Sequence, residues 1–316
     1  MRVKKTKVSM EDIIMWLIFS VITALAWGGA NLFYKKGSDT DDKTSHLKIV
    51  VMVGFAMGIH ATIYWMVKDV NFELFDMIRY LPVSSMYIIS MTLGYIGLRY
   101  IELSIAAPVQ NSSGAISAIL LFIFFPRELS WITIIGVIVI SYGVIRLAVL
   151  EKQAEMAALQ STSGTIDKKY QIGILAITFP ILYAIIDGIG TFLDGVYLDE
   201  LKLIPEDTAL LAYEYTFLII AVLAYVYVKF IKKEEFYIFK ERDKGSAAIL
   251  ETTGQFFYVF AMAGNAMIAA PIIAAHGIFS VILSRIFLKE VLTKKQYIMI
   301  ALVMIGIILL GISEEM

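Results

Sequence analysis

Ile105-Ala106-Ala107-Pro108, followed by Gly114 and Ser117, returns as Ile268-Ala269-Ala270-Pro271, followed by Gly277 and Ser280, every member displaced by 163 residues. The echo spreads outward from this core. Phe72 and Phe75 match Phe236 and Phe239, Tyr95 matches Tyr258, and a Glu-hydrophobe pair closes each copy, Glu128-Leu129 in one and Glu290-Val291 in the other. A unit written twice is packed twice, so the duplication decides the architecture before any single helix is drawn.

The medium follows from composition. Of the 316 residues 59% are hydrophobic and only 17% are charged, against roughly 25% charged in an average soluble chain; the mean hydropathy is +0.76. A chain so poor in charge is built for lipid. Ten stretches are long enough to cross about 30 Å of hydrocarbon at about 1.5 Å per residue: 13–34, 47–67, 80–100, 106–125, 131–150, 171–193, 208–230, 246–263, 266–288 and 296–312. Lys4, Lys5 and Lys7 before Ala24-Leu25-Ala26 have the look of a signal peptide. The apolar run passes that site to Tyr34, however, and 171–193 is its counterpart, so 13–34 reads as a span.

Five spans fall in each half. Because five is odd, adjacent repeats must cross the membrane in opposite senses, with a substrate site expected where they meet near the midplane. The predicted fold is therefore an all-α integral membrane protein with ten transmembrane helices arranged as two inverted five-helix repeats. Residues 1–150 form the first repeat, 151–169 a polar linker centred on Gln160-Ser161-Thr162-Ser163-Gly164, and 170–316 the second repeat. Segments 71–79 and 232–244 mix Phe with charged residues and read as helices lying in the headgroup region. The Lys and Arg distribution leaves the orientation of the termini open.

Several function classes are excluded. A net charge of -1 gives no face able to neutralise phosphates, so no nucleic-acid partner is expected. Without cysteine there are no disulfides, thiolate metal sites or thiol nucleophiles, and no metal or cofactor is expected. There is no HExxH, Gly-x-Ser-x-Gly or phosphate loop. Asp187 and Asp194 stand at i, i+7 and keep an intramembrane aspartyl hydrolase open as an alternative, although Gly188-Ile189-Gly190 is followed by Thr191 rather than by an aspartate.

An ionisable side chain in hydrocarbon costs about 2.5–3.5 kcal/mol on insertion scales, so each is read first as facing a cavity or a partner. Several spans carry such groups in stripes. Glu251, Gln255, Tyr258, Met262 and Asn265 share one helical face; Ser20, Thr23, Trp27, Asn31 and Tyr34 share another; Tyr183, Asp187 and Asp194 answer them in the sixth span. Trp27 and Asn31 match Tyr183 and Asp187 at a common displacement of 156. Gln110, Ser113, Gly114 and Ser117 lie on the fourth span, His276 replaces Ser113 in the second copy, and Tyr95, Arg99 and Glu102 lie on or just past the third.

The predicted substrate-binding set is Trp27, Asn31, Tyr95, Gln110, Ser113, Tyr183, Asp187, Glu251, Gln255, Tyr258 and His276. Asp187, Glu251 and His276 are the candidates for proton coupling. Pro108 and Pro271 are candidate hinges, with tight packing as the competing reading. Asp194, at the end of its span, reads as solvated, Glu102 as a partner of Arg99 or a helix cap, and His60 as a hydrogen-bonded packing residue. Glu214 lies on no long polar stripe.

Ala26-Trp27-Gly28 near the end of the first span, and the Ala-Pro of the fourth and ninth followed by a Glu-hydrophobe turn, resemble the drug/metabolite transporter superfamily of the EamA-like type. The resemblance implies a ten-helix carrier whose cavity is lined by the first, third, fourth, sixth, eighth and ninth spans. Members export amino acids, other metabolites or drugs. The chain departs from the usual pattern at Tyr183, where a tryptophan is common, and at Asp187, which adds a charge. The sequence thus predicts a secondary-active exporter in the cell membrane. It moves a small amine-bearing or amino-acid-like metabolite by alternating access around a midplane cavity. Its expected contacts are that substrate and membrane lipids. A facilitative channel and a non-transporting receptor on the same scaffold stay open, and nothing in the sequence separates coupling from facilitation.

Overall fold

The computed structural model describes residues 10–39, 41–100, 103, 106, 110–111, 113–126, 130–161, 173–288 and 293–313. Among them there is helix and no strand, as expected where lipid leaves backbone N–H and C=O groups no partner except one another. The helices are α1 (Met10–Gly37), α2 (Ser45–Lys68), α3 (Leu74–Leu98), α4 (Ser113–Phe124), α5 (Trp131–Ser161), α6 (Gly173–Gly195), α7 (Glu206–Val226), α8 (Arg242–Ala274), α9 (His276–Leu288) and α10 (Lys294–Ser313). Among the described residues six stretches are long and apolar enough to cross a membrane: Ile14–Gly37, Ser45–Lys68, Leu74–Leu98, Thr178–Glu200, Glu206–Ile231 and Arg242–Ser280. Their outward faces carry bare apolar side chains such as Ile63, Met66, Leu223 and Phe230, a surface that hydrocarbon tolerates and water does not.

Packing runs between the halves more than within them. α1 lies along α8, α3 along α6, α2 along α7 and α5 along α10, while α4 is held between α6 and α8. Small residues let these backbones close up. A methyl added at Gly54 of α2 would collide with Ala221 and the Phe217 carbonyl of α7, and one at Gly264 of α8 would collide with the Trp16 ring of α1. The glycines of the opening repeat are used reciprocally. Gly114 faces Ala274, Gly277 faces Asn111, and 111 and 274 are themselves 163 apart.

The structure corrects several boundaries. The eighth and ninth spans do not part cleanly at 263–266. α8 runs to Ala274 across a kink at Asn265, whose backbone is extended (φ -162°, ψ 85°). The chain turns again at Ala275, where its N–H reaches the Ile272 carbonyl at 3.1 Å, and α9 starts at His276. The Ala266 N–H freed by the kink donates to Asp199 at 3.1 Å, which satisfies one of the donors a helix start leaves open. Pro271 therefore sits inside the short helical piece between two breaks instead of on a break. Pro108 lies outside the described residues, as do Glu102 and residues 162–169 of the expected linker; α5 continues as helix through 151–161.

Neither segment expected to lie in the headgroups is a separate helix. Residues 74–79 are the first turns of α3, started by a capping box between Glu73 and Asp76. Residues 232–241 are mostly irregular, with one 3-10 turn at Ile238–Lys240. The matched phenylalanines still behave as pairs. Phe72 packs on Tyr215 at 5.5 Å and Phe236 on Tyr225 at 6.2 Å, whereas Phe75 and Phe239 point outward. Lys48 ties these connections together, bonding Asp42 at 2.7 Å and Glu234 at 3.4 Å, while Thr44 donates to Glu234.

Candidate functional site

The polar stripes of α1, α3, α6 and α8 turn inward and meet, because α1 packs along α8 and α3 along α6. Between them, closed off by α4, α7 and the start of α9, is a cleft of about 850 Å³ counted with its opening. All eleven residues of the sequence-derived binding set line it. Trp27 and Asn31 come from α1, Tyr95 from α3, Gln110 and Ser113 from the entry to α4, Tyr183 and Asp187 from α6, Glu251, Gln255 and Tyr258 from α8, and His276 from α9. Tyr34, Tyr87, Met91, Thr191 and Tyr213 complete the wall and were not in that set. Tyr34 lay on the α1 stripe, one turn after Asn31, and that was the signal for it.

The two carboxylates are held differently. Glu251 is almost fully buried; its Oε2 accepts from the Tyr34 hydroxyl at 3.2 Å, and its backbone carbonyl accepts from Trp27 Nε1 at 3.3 Å. Asp187 accepts from Ser90 Oγ at 3.1 Å, with Ser113 and Tyr183 as further donors. Each is thus braced by neutral hydroxyls, which orient a charge without cancelling it. Among the described residues no Lys or Arg lines the cleft.

Aromatic faces fill the space around these charges. The Trp27 and Tyr258 rings lie 5.1 Å apart, the His276 ring meets Trp27 edge-on at 5.9 Å, and Tyr34 packs on Tyr95 at 4.7 Å. Gly254 admits the indole, since any Cβ there would overlap the Trp27 ring, and Gly94 does the same for Tyr183. His276 Nδ1 lies 3.0 Å from the Ile273 carbonyl. A carbonyl only accepts, so Nδ1 carries the proton and Nε2 is left as an acceptor. Asn31 donates to Ser280 at 3.2 Å, which joins the α1 stripe to the second copy of the opening motif.

Asp194, His60 and Glu214 lie off the cleft. Asp194 is completely buried, contrary to its reading as a solvated span end: Tyr80 donates to its Oδ1, and Tyr87 Oη is 3.4 Å from its Oδ2. Asp187 and Asp194 therefore face different surroundings and do not converge on one substrate position. His60 and Glu214 pair at 2.8 Å between α2 and α7, so the packing role read for His60 has a buried carboxylate as its partner.

An apolar helical body around a polar, carboxylate-bearing cleft is the architecture of an integral membrane transporter. The EamA-like transporter family model matches residues 14–149 and again 171–312, and the chain belongs to that family. The two matched stretches coincide with the two copies of the repeat. No curated protein matches the chain. A solved structure described only as the crystal structure of a protein is similar over 93% of this chain and 95% of its own, at 11% identity and a TM-score of 0.65, a likeness of fold.

Proposed function

We propose that the protein is a secondary-active carrier of the cell membrane. It exports a small amine-bearing or amino-acid-like metabolite by alternating access, with ten transmembrane helices in two inverted five-helix repeats. The carrying observation is the chemistry of the cleft: Asp187 and Glu251 face one space with aromatic rings on its walls and no Lys or Arg among its described lining residues. An ammonium group there would be neutralised by the carboxylates and would meet the π-faces of Trp27, Tyr95, Tyr183 and Tyr258. Such a contact contributes about 2 kcal/mol when desolvated.

The cross-half packing supports the inverted arrangement. If α1 corresponds to α6 and α3 to α8, the α1–α8 and α3–α6 contacts are one contact made twice, and the α2–α7 contact maps onto itself. Rocking of one half against the other around a fixed site would draw on the breaks that flank Pro271. The export direction rests on the family resemblance.

A thermal-shift screen of amino acids, polyamines, quaternary amines and nucleotide sugars on wild type and Asp187→Asn tests the substrate class. Amines should stabilise the wild type and lose that effect in the variant. No shift with amines, or equal shifts in both proteins, would contradict the cation site.

A further inference from the structure

Asp194, unlike Asp187 and Glu251, does not line the cleft and is sealed among phenols. The titratable groups facing it are Tyr80 and Tyr87 from α3 and Tyr258 from α8. Behind them are Tyr213 of α7, edge-on to Tyr87 at 5.9 Å, and Tyr197, edge-on to Tyr80 at 5.8 Å. On its own element Asp187 stands two turns back, and Asp199, in the wider helical turn Val196–Glu200 that continues α6, is occupied with the Ala266 N–H. Arg79, next to Tyr80, points outward. Among the described residues no Lys, Arg or His pairs with Asp194. An ionised Asp194 would be a lone charge sealed in protein, whereas a protonated one is a neutral donor with phenol oxygens in reach.

The Tyr87 hydroxyl is where this cluster meets the cleft. Its oxygen lies 3.3 Å from Thr191 Oγ1, which lines the cleft, and 3.4 Å from Asp194 Oδ2, and it also bonds Tyr258. A phenol has one proton to give. When Asp194 is ionised it can only accept, and Tyr87 turns to it. When Asp194 carries a proton, it donates to a phenol oxygen, and Tyr87 is free to donate to Thr191.

We propose that Asp194 is a proton-carrying site separate from the cleft carboxylates, and that Tyr87 passes the proton between Asp194 and the cleft. On loading, the Tyr87 O–H bond breaks toward Asp194 Oδ2 while a new O–H bond forms on Tyr87 from the Thr191 hydroxyl, which takes its replacement proton from a hydronium ion in the cleft, leaving water there. One proton moves, the carboxylate becomes a carboxyl and the phenol is unchanged. Release is the reverse. Tyr87 belongs to the first half and Tyr258 to the second, so redirecting the Tyr87 proton alters a hydrogen bond between the halves. Coupling of this proton to transport rests on the carrier reading above; the proton site itself does not.

Infrared difference spectroscopy of the reconstituted protein, titrated with acid and base in water and in heavy water, reads the carboxyl directly. The wild type should show a protonated-carboxyl carbonyl band that is absent in Asp194→Asn, kept in Asp187→Asn and shifted in Tyr87→Phe. A band that survives in Asp194→Asn overturns the proposal. If that variant does not fold, an unshifted band in Tyr87→Phe overturns it instead. In proteoliposomes with a trapped pH dye and tetraethylammonium as the probe, Asp194→Asn should lose cation-driven proton movement by roughly 100-fold or more while still exchanging labelled for unlabelled tetraethylammonium. Proton movement at the wild-type rate in Asp194→Asn overturns the proposal. Absence of exchange in the wild type counts against the cation-carrier reading, and the carboxyl band then decides Asp194 alone.

Discussion

Gly114 and Gly277 hold the same place in the two copies of the repeat, each the second residue of its helix. Replacing either by alanine therefore changes helix propensity by the same amount, and the difference between the two variants isolates their surroundings. A methyl at Gly114 would meet the Cβ of Ala274 and, 2.8 Å away, the backbone oxygen of Ala270, both in the rigid helical piece between Asn265 and Ala275. Neither can rotate away, so α4 or that piece must shift, at a cost typical of overpacking, about 1–3 kcal/mol. A methyl at Gly277 would meet only the amide end of Asn111, a side chain that can turn aside. Gly114→Ala is thus expected to unfold earlier than Gly277→Ala, by roughly 2–4 °C for each kcal/mol. Thermal unfolding of both variants in one detergent decides it. A Gly277→Ala protein as destabilised as Gly114→Ala, or more so, would mean that the Asn111 side chain does not give way.

Two further outcomes follow from groups away from the cleft. His60→Ala leaves Glu214 buried without its partner and should cost about 3–5 kcal/mol, whereas replacing both by leucine should recover most of the loss; unfolding midpoints of the single and double variants show whether it does. Asp42, outside the spans, feels burial pushing its carboxyl up, but the Lys48 ammonium and the Thr44 N–H and hydroxyl outweigh it and hold it below the usual aspartate range. A group depressed in the folded state stabilises above its unfolded value and loses that contribution as pH falls through the folded one. Asp42→Asn should therefore unfold slightly earlier at neutral pH, by about 0.2–1 kcal/mol, and the gap should close only below about pH 4. A gap that closes between pH 7 and pH 5 would contradict the assignment.

The sequence made the cleft legible because polar side chains in a 59% hydrophobic chain stand out, and helical spacing puts them on one face. Trp27 with Asn31, Tyr183 with Asp187, and Glu251 with Gln255 and Tyr258 were each visible within a single helix. Asp194 was misread because its burial is decided by Tyr80, Tyr87 and Tyr258, which lie on two other helices. Its place on the Asp187 face was the available clue. The Glu214 partner was hidden likewise, since His60 is 154 residues away. The breaks at Asn265 and Ala275 were also hidden. Proline drew the reading to position 271, but the chain breaks on either side of it, at Asn265, where the distant Asp199 carboxylate takes the Ala266 N–H, and at Ala275.

A carrier that holds its cation between Asp187 and Glu251, as proposed above, should show saturable counterflow. Counterflow tests it most directly: proteoliposomes loaded with the amine that gives the largest thermal shift are diluted into a trace of the same amine carrying a label. A transient overshoot of internal label is expected, saturating with amine concentration and disappearing in Asp187→Asn and in Glu251→Gln. Current that rises without saturation and no overshoot, or an overshoot unchanged in both variants, would contradict it.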